Sequence, residues 1–273
     1  MTTTVTTVAE LRAALNGAGR IGMVPTMGAL HDGHLSLVRE ARRHAGTLVV
    51  SIFVNPTQFA PNEDFDAYPR TLDADLEKLG GQADLVFTPT AREIYPQGYA
   101  TTLSVGGPSA GLESDFRPHF FSGVATVVAK LLIAASPDIA VFGEKDYQQL
   151  QVVRQMVRDL ALPVTIVGAP TLREADGLAL SSRNAYLSPS ERVTAGRLNV
   201  ILKEATLRAR QGDIGGAEAW AVAALRDAGF DPVDYVAIRD AETLAPIGAL
   251  ERPARILAAA RLGRTRLIDN MAI

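Results

Sequence analysis

His31 and His34 stand in the sequence His31-Asp32-Gly33-His34, shortly after an apolar run at 21–24 and the turn residues Met27-Gly28-Ala29-Leu30. A strand that passes through a glycine-bearing turn into a helix offers an anion free backbone N–H groups and the positive end of the helix dipole. Two imidazoles placed there can donate hydrogen bonds to phosphate oxygens and stabilise charge that develops at phosphorus. Turn histidines bonded to backbone, or a pair of transition-metal ligands, are the competing explanations. Further metal ligands are scarce, since only His44 and His119 remain of four histidines and cysteine is absent. No metal ligand set is assigned.

Three other polar clusters have the same character. Lys145 lies in Gly143-Glu144-Lys145-Asp146, directly after the apolar run 139–142. A lysine there supplies a point positive charge to a phosphate, although a solvated helix start capped by Asp146 would look alike. Farther on, Leu180-Ser181-Ser182-Arg183 offers two hydroxyls and a planar guanidinium suited to β- and γ-phosphates, or else a simple linker. Gln58, in Asn55-Pro56-Thr57-Gln58-Phe59, and Gln149 are neutral amides in apolar surroundings, able to hold a hydroxyl or carboxylate without a competing ion pair. Phe116, Phe120 and Phe121 read as core or pocket wall. Neither G-x-x-x-x-G-K-[ST] nor G-x-G-x-x-G occurs, which argues against a P-loop protein and a dinucleotide oxidoreductase.

The elements that must position these clusters follow from periodicity. Strands are expected at 21–24, 48–54, 85–88, 139–142 and 164–167, and helices at 8–15, 34–44, 71–79, 124–135 and 147–160. Such alternation predicts an α/β fold: a Rossmann-like parallel sheet, with the polar clusters converging outside the carboxyl ends of its strands. After about residue 172 the pattern becomes two helical stretches, opening at Ser188-Pro189-Ser190-Glu191 and at 217–228, then β-like pieces at 233–238, 255–259 and 265–268. The expected organisation is a nucleotide- and substrate-binding domain over 1–172 and a smaller, lid-like α+β domain over 173–273.

Composition narrows the class further. A chain of 273 residues, 47% hydrophobic and 21% charged, can bury a sizeable core. Its net charge of -3 gives no footprint for nucleic acid or an anionic membrane. With no cysteine, disulfide scaffolds and thiol nucleophiles are excluded. No basic leader or long apolar run is visible, so a soluble, cytoplasmic protein is expected.

Taken together, VPTMGALHDGH, VSIFVNPTQF, YPRTLDADLEKL, FGEKDYQQLQVVRQMVRDL, DGLALSSRNAYL and the terminal RLIDNM resemble the pantoate–β-alanine ligases, a family within the H-x-G-H nucleotidyltransferases. The resemblance runs from about Ile21 to Met271, in the family's order. It implies that ATP adenylates pantoate, with Mg²⁺ travelling on the triphosphate, and that β-alanine then displaces AMP. It also implies a homodimer. Carried over by position, Met27 through His34, Gly143 to Asp146, Leu172 and Leu180 to Arg183 would bind ATP. His34 would be the proton donor, with His31, Lys145 and Arg183 catalytic beside it. Gln58, Gln149 and Asn55 would hold pantoate, Gln58 also lying near β-alanine. One segment departs: Arg117-Pro118-His119-Phe120-Phe121-Ser122-Gly123-Val124 stands where the family reads R-P-G-H-F-x-G-V. Another H-x-G-H adenylyltransferase and a catalytically silent nucleotide-binding module are the alternatives.

Overall fold

The computed structural model describes residues 2–59, 65–66 and 68–273 and contains two sheets. The larger comprises β1 (Thr3–Val5), β2 (Ile21–Thr26), β3 (Thr47–Ile52), β4 (Leu85–Phe87), β5 (Ile139–Gly143) and β6 (Thr165–Ala169). All are parallel, in the order β1-β4-β3-β2-β5-β6. Because side chains alternate faces and helices cover both, the inner strands are mostly apolar, with Thr26 and Ser51 as buried polar exceptions. Met23, Val49, Phe87 and Ala140 pack on one face against α1 (Val8–Leu15), α6 (Phe120–Ala135) and α7 (Tyr147–Asp159). Val24, Leu48, Val50, Val86 and Val141 pack on the other against α2 (Asp32–His44) and α3 (Leu72–Leu79).

Two four-residue helices, α4 (Ala91–Ile94) and α5 (Glu113–Phe116), lie in the connection between β4 and α6. The second sheet is antiparallel: β7 (Val233–Asp240), β8 (Ala254–Leu262) and β9 (Thr265–Ala272), in that order. Ala254, Ile256, Ala258 and Ala260 of β8 pack with α8 (Pro189–Ala195), α9 (Arg197–Ala209) and α10 (Ile214–Asp227) in a core of their own. Among the described residues no helix is long and apolar enough to cross a membrane.

The expected α/β class and the second, smaller sheet are both present. Differences lie where local signals are weak. β1 went unanticipated, being a three-residue edge strand with its first two residues exposed. Helix α6 begins at Phe120 rather than 124, and α10 at Ile214 rather than 217, where Asp213 accepts from the backbone N–H of Gly216. The single helical stretch expected after Ser188 is two helices that meet at Gly196, where a Cβ would lie 2.7 Å from the Asp176 carboxylate. Strand β8 extends well past 255–259, because its alanines carry little strand signal.

Candidate active site

Strand order reverses between β2 and β5, since β2 continues to β3 on one side and β5 to β6 on the other. Ligands of open parallel sheets bind at such a switch point, beyond the strand carboxyl ends. A cleft of about 760 Å³ opens there, walled on its far side by β8 and β9 residues such as Leu257, Arg261, Asp269 and Asn270.

The turn after β2 is fixed by its own lobe. Gly28 has φ +83° and Ala29 φ +50°, a left-handed pair that reverses the chain. The buried Asp75 carboxylate on α3 accepts the backbone N–H of Ala29 at 2.9 Å and of Leu30 at 2.7 Å. Lys78 Nζ donates to the carbonyl of Leu30 at 2.7 Å. Helix α2 then opens with a reciprocal cap in which Gly33 N–H donates to His31 Nδ1 (3.1 Å) and His31 N–H to His34 Nδ1 (3.2 Å). Gly33 is required: a Cβ there would lie 2.8 Å from the His31 ring.

With both Nδ1 atoms accepting, each neutral imidazole carries its proton on Nε2. Burial, reinforced by the neighbouring His31, Lys145 and Lys78, lowers the pKa of His34 from 6.5 to about 3. His31 is lowered too, first by burial and then by Lys145 and Lys78, against the opposing pull of Asp32 and Asp146. Both rings line the cleft, with centroids 4.1 Å apart. Neutral N–H donors, rather than imidazolium acids, face whatever binds there.

Gly143, Lys145 and Asp146, on the turn after β5, line the same cleft, as do Leu172, Leu180, Ser181, Ser182 and Arg183. The Ser181 hydroxyl caps its own turn by accepting from Arg183 N–H at 3.3 Å. Gln58 and Gln149 line the cleft together with Phe116, Phe120, Phe121 and Val128. Gln58 sits on a short turn pressed against α6, where a Cβ on Gly123 would come within 2.4 Å of the Thr57 carbonyl. Arg117 donates to the Gln58 carbonyl at 3.1 Å while its guanidinium lies 3.9 Å from the Phe120 ring centre. In this chain the aromatic at the departing position therefore serves as a shelf for Arg117.

The family profile described as pantoate-beta-alanine ligase covers residues 2–272. The chain belongs to the pantoate–β-alanine ligase family. Like other pantoate–β-alanine ligases it is an enzyme, a ligase of pantoate and β-alanine. A pantothenate synthetase of Mesorhizobium japonicum is 60% identical over 275 residues, covering 98% of this chain and 97% of its own. The crystal structure of pantothenate synthetase from Thermus thermophilus is similar at TM-score 0.93 and 51% identity, over 98% of both chains. A pantoate–β-alanine ligase from Francisella tularensis, described as complexed with beta-gamma ATP and β-alanine, aligns at TM-score 0.84 and 34% identity, over 99% of this chain and 97% of that one.

Not every residue expected at a pantoate–β-alanine ligase site lines the cleft. Gly28, Ala29, Leu30 and Asp32 build the histidine turn without facing the cavity. Glu144 is turned aside into an ion pair with Arg255 at 3.0 Å. Asn55 is buried: its amide donates to the Gly123 carbonyl (3.2 Å), and its Oδ1 accepts from Thr57 and from the Tyr95 hydroxyl. It shapes the Gln58 turn from behind. Asp75, Lys78, Arg117 and Asn270 were not singled out from the sequence. Asp75 and Lys78 lie within YPRTLDADLEKL and Asn270 within RLIDNM, so the signal was the motif itself, without any local sign of what each residue holds.

Proposed function

We propose that this cleft joins (R)-pantoate to β-alanine in two displacements. The pantoate carboxylate attacks the α-phosphorus of ATP, and the bond to pyrophosphate breaks. The β-alanine amine then attacks the acyl carbon of pantoyl adenylate, the acyl–oxygen bond breaks, and AMP leaves. Both nucleophiles belong to substrates, so the protein has to position them and stabilise charge. One observation carries the assignment: His31, His34, Lys145 and the 181–183 turn line a single cleft with Gln58 and Gln149.

On this reading Lys145 and Arg183 neutralise phosphate charge, and the Ser181 and Ser182 hydroxyls donate to the terminal phosphates. The Nε2–H groups of His31 and His34 donate to the α-phosphate or the departing oxygen. With its pKa lowered to about 3, His34 is neutral and meets the substrate as an Nε2–H hydrogen-bond donor. Gln58 and Gln149 hold the hydroxyls of pantoate, against the apolar wall of Phe121, Val124 and Val128. Hydrated Mg²⁺ would be carried on the triphosphate and would supply further charge neutralisation there. Asp146, lining the cleft beside Lys145, is a carboxylate suited to that hydrated ion. Assembly as a homodimer, inferred from the family resemblance, is checked by light scattering.

The deciding assay follows AMP and pantothenate from ATP, pantoate and β-alanine, omitting each in turn. AMP should require ATP and pantoate, and pantothenate all three. Pyrophosphate exchange into ATP that proceeds without pantoate but with another acceptor would identify a different adenylyltransferase, and no AMP under any condition a silent binding module.

A further inference from the structure

The RLIDNM motif closes the chain, far in sequence from the phosphate-binding turns, yet part of it reaches the cleft. Its contacts converge on one place. The Asn270 Nδ2 donates to two successive main-chain carbonyls, those of Glu144 at 2.9 Å and Lys145 at 2.8 Å. Its Oδ1 accepts from Arg255 Nε at 2.6 Å. Arg255, on β8, continues to the Glu144 carboxylate at 3.0 Å and lies over the Tyr147 ring at 3.8 Å. Behind Asn270, Asp269 accepts its backbone N–H at 2.7 Å and binds both guanidinium nitrogens of Arg173 at 2.7 and 2.8 Å. Asn270 is only 2% exposed.

The turn held in this way has little support of its own. The 3₁₀ segment 144–146 has no side-chain cap at Gly143, and α7 has none at Asp146. Two adjacent carbonyls beside a cleft, each costly to leave unpaired, are met by one buried amide that arrives from another sheet. We infer that Asn270, clamped by Arg255 and Asp269, is the positioning residue for Lys145, so that the terminal strand sets where the phosphate-binding ammonium stands. A residue whose side-chain amide is taken up by Arg255 and by two main-chain carbonyls thereby controls one step of the reaction. Asparagine is needed because aspartate would set carboxylate oxygen against both carbonyls. The inference rests on the adenylation chemistry proposed above.

The test is Asn270→Asp in the full-length protein, with the two half-reactions measured apart. Displacement of a reacting group by about 1 Å costs about 100-fold. Pantoate-dependent exchange of pyrophosphate into ATP should therefore fall about 100-fold. Attack of β-alanine on supplied pantoyl adenylate, which needs no triphosphate, should stay within about twofold. In a Lys145→Ala background, the Asn270→Asp change should cost less than about twofold in exchange, since its route of action is gone. Equal loss in both half-reactions, wild-type exchange in folded N270D, or full additivity with Lys145→Ala would each overturn the assignment. If N270D does not fold, Arg255→Lys decides: it keeps a charge near Glu144 but loses the donor to Asn270, and the same split should appear at about tenfold. An unsplit loss or no loss there refutes the role. A wild-type enzyme that makes no adenylate would instead sink the functional reading itself.

Discussion

The two turns flanking the β2–β5 junction face one cleft but are held in opposite ways. The histidine turn is anchored from within its own lobe, by Asp75 and Lys78 of α3 and by the reciprocal cap at Gly33. The lysine turn is anchored from across the cleft, by Asn270 of β9 and Arg255 of β8. The hydrogen bonds that hold the imidazole half come from α2 and α3, which pack on the parallel sheet. Those that hold the lysine turn come from the small sheet. If the cleft binds the nucleotide as proposed, charge neutralisation by Lys145 depends on the packing of the two sheets, and the neutral donors do not.

The largest effects should come from the facing side chains themselves. Lys145→Ala and His34→Ala are each expected to slow adenylation about 100- to 1000-fold, as loss of one preorganised group at developing charge does. Both folds should survive, because neither residue belongs to a core cluster, and His34→Ala should lose no more than about 1 kcal/mol of helix cap. Wild-type single-turnover formation of pantoyl adenylate in either variant would remove that residue from the site.

Asp75→Ala bears directly on the contrast between the turns. It strips two buried backbone N–H groups of their acceptor, and should cost about 3 kcal/mol in urea unfolding. Adenylation should fall with it, whereas the contacts from Asn270 to the lysine turn stay intact. A folded Asp75→Ala protein with normal adenylation would show that the histidine turn holds itself.

How much of this was legible in the sequence depends on range. The strand–turn–helix around His31, the glycine stop at Gly80 and the capping boxes at Thr7 and Ser188 are local, and the residues announce them. The parallel sheet was legible for a related reason, since strands buried on both faces read as apolar runs such as Leu48–Val49–Val50. The supports of the site were not legible. Asp75 looks like any solvated acid on an amphipathic helix, and Asn270 like one polar residue in a terminal strand. Their partners are backbone groups some 45 and 125 positions away, and no periodicity encodes such pairings. Asn55 misleads in the opposite direction, as a polar residue beside Gln58 whose amide is consumed by α6 and Tyr95.

Protonation gives a finer probe of the histidine turn. His34 has a pKa of about 3 when folded against 6.5 in its unperturbed state, so below pH 6.5 the unfolded chain binds a proton that the folded chain does not. The penalty for keeping the ring neutral is absent above pH 6.5, grows as pH falls, and levels off near pH 3. Within that window the wild type should lose up to about 1.4 kcal/mol per pH unit relative to His34→Ala. Urea unfolding of both proteins at stepped pH measures the difference. Adenylation should show no acid limb near 6.5 from this residue. Parallel stability curves would mean that the ring titrates normally and is not buried neutral.

The smallest effect separates binding from chemistry. Gln58 stands on a turn fixed by Asn55, by the close approach of Gly123, and by Arg117 acting on its main-chain carbonyl. None of these contacts uses the Gln58 amide, so Gln58→Ala should leave the turn where it is. Loss of one neutral hydrogen-bonding group costs about 1.4 kcal/mol, or about tenfold. That loss should appear in the KM for pantoate, with pyrophosphate exchange at saturating pantoate close to wild type. If kcat falls and KM does not, the amide acts on the reacting carboxylate in the transition state and belongs with His34 and Lys145. If neither changes, pantoate is held elsewhere along the wall, with Gln149 the next amide to truncate.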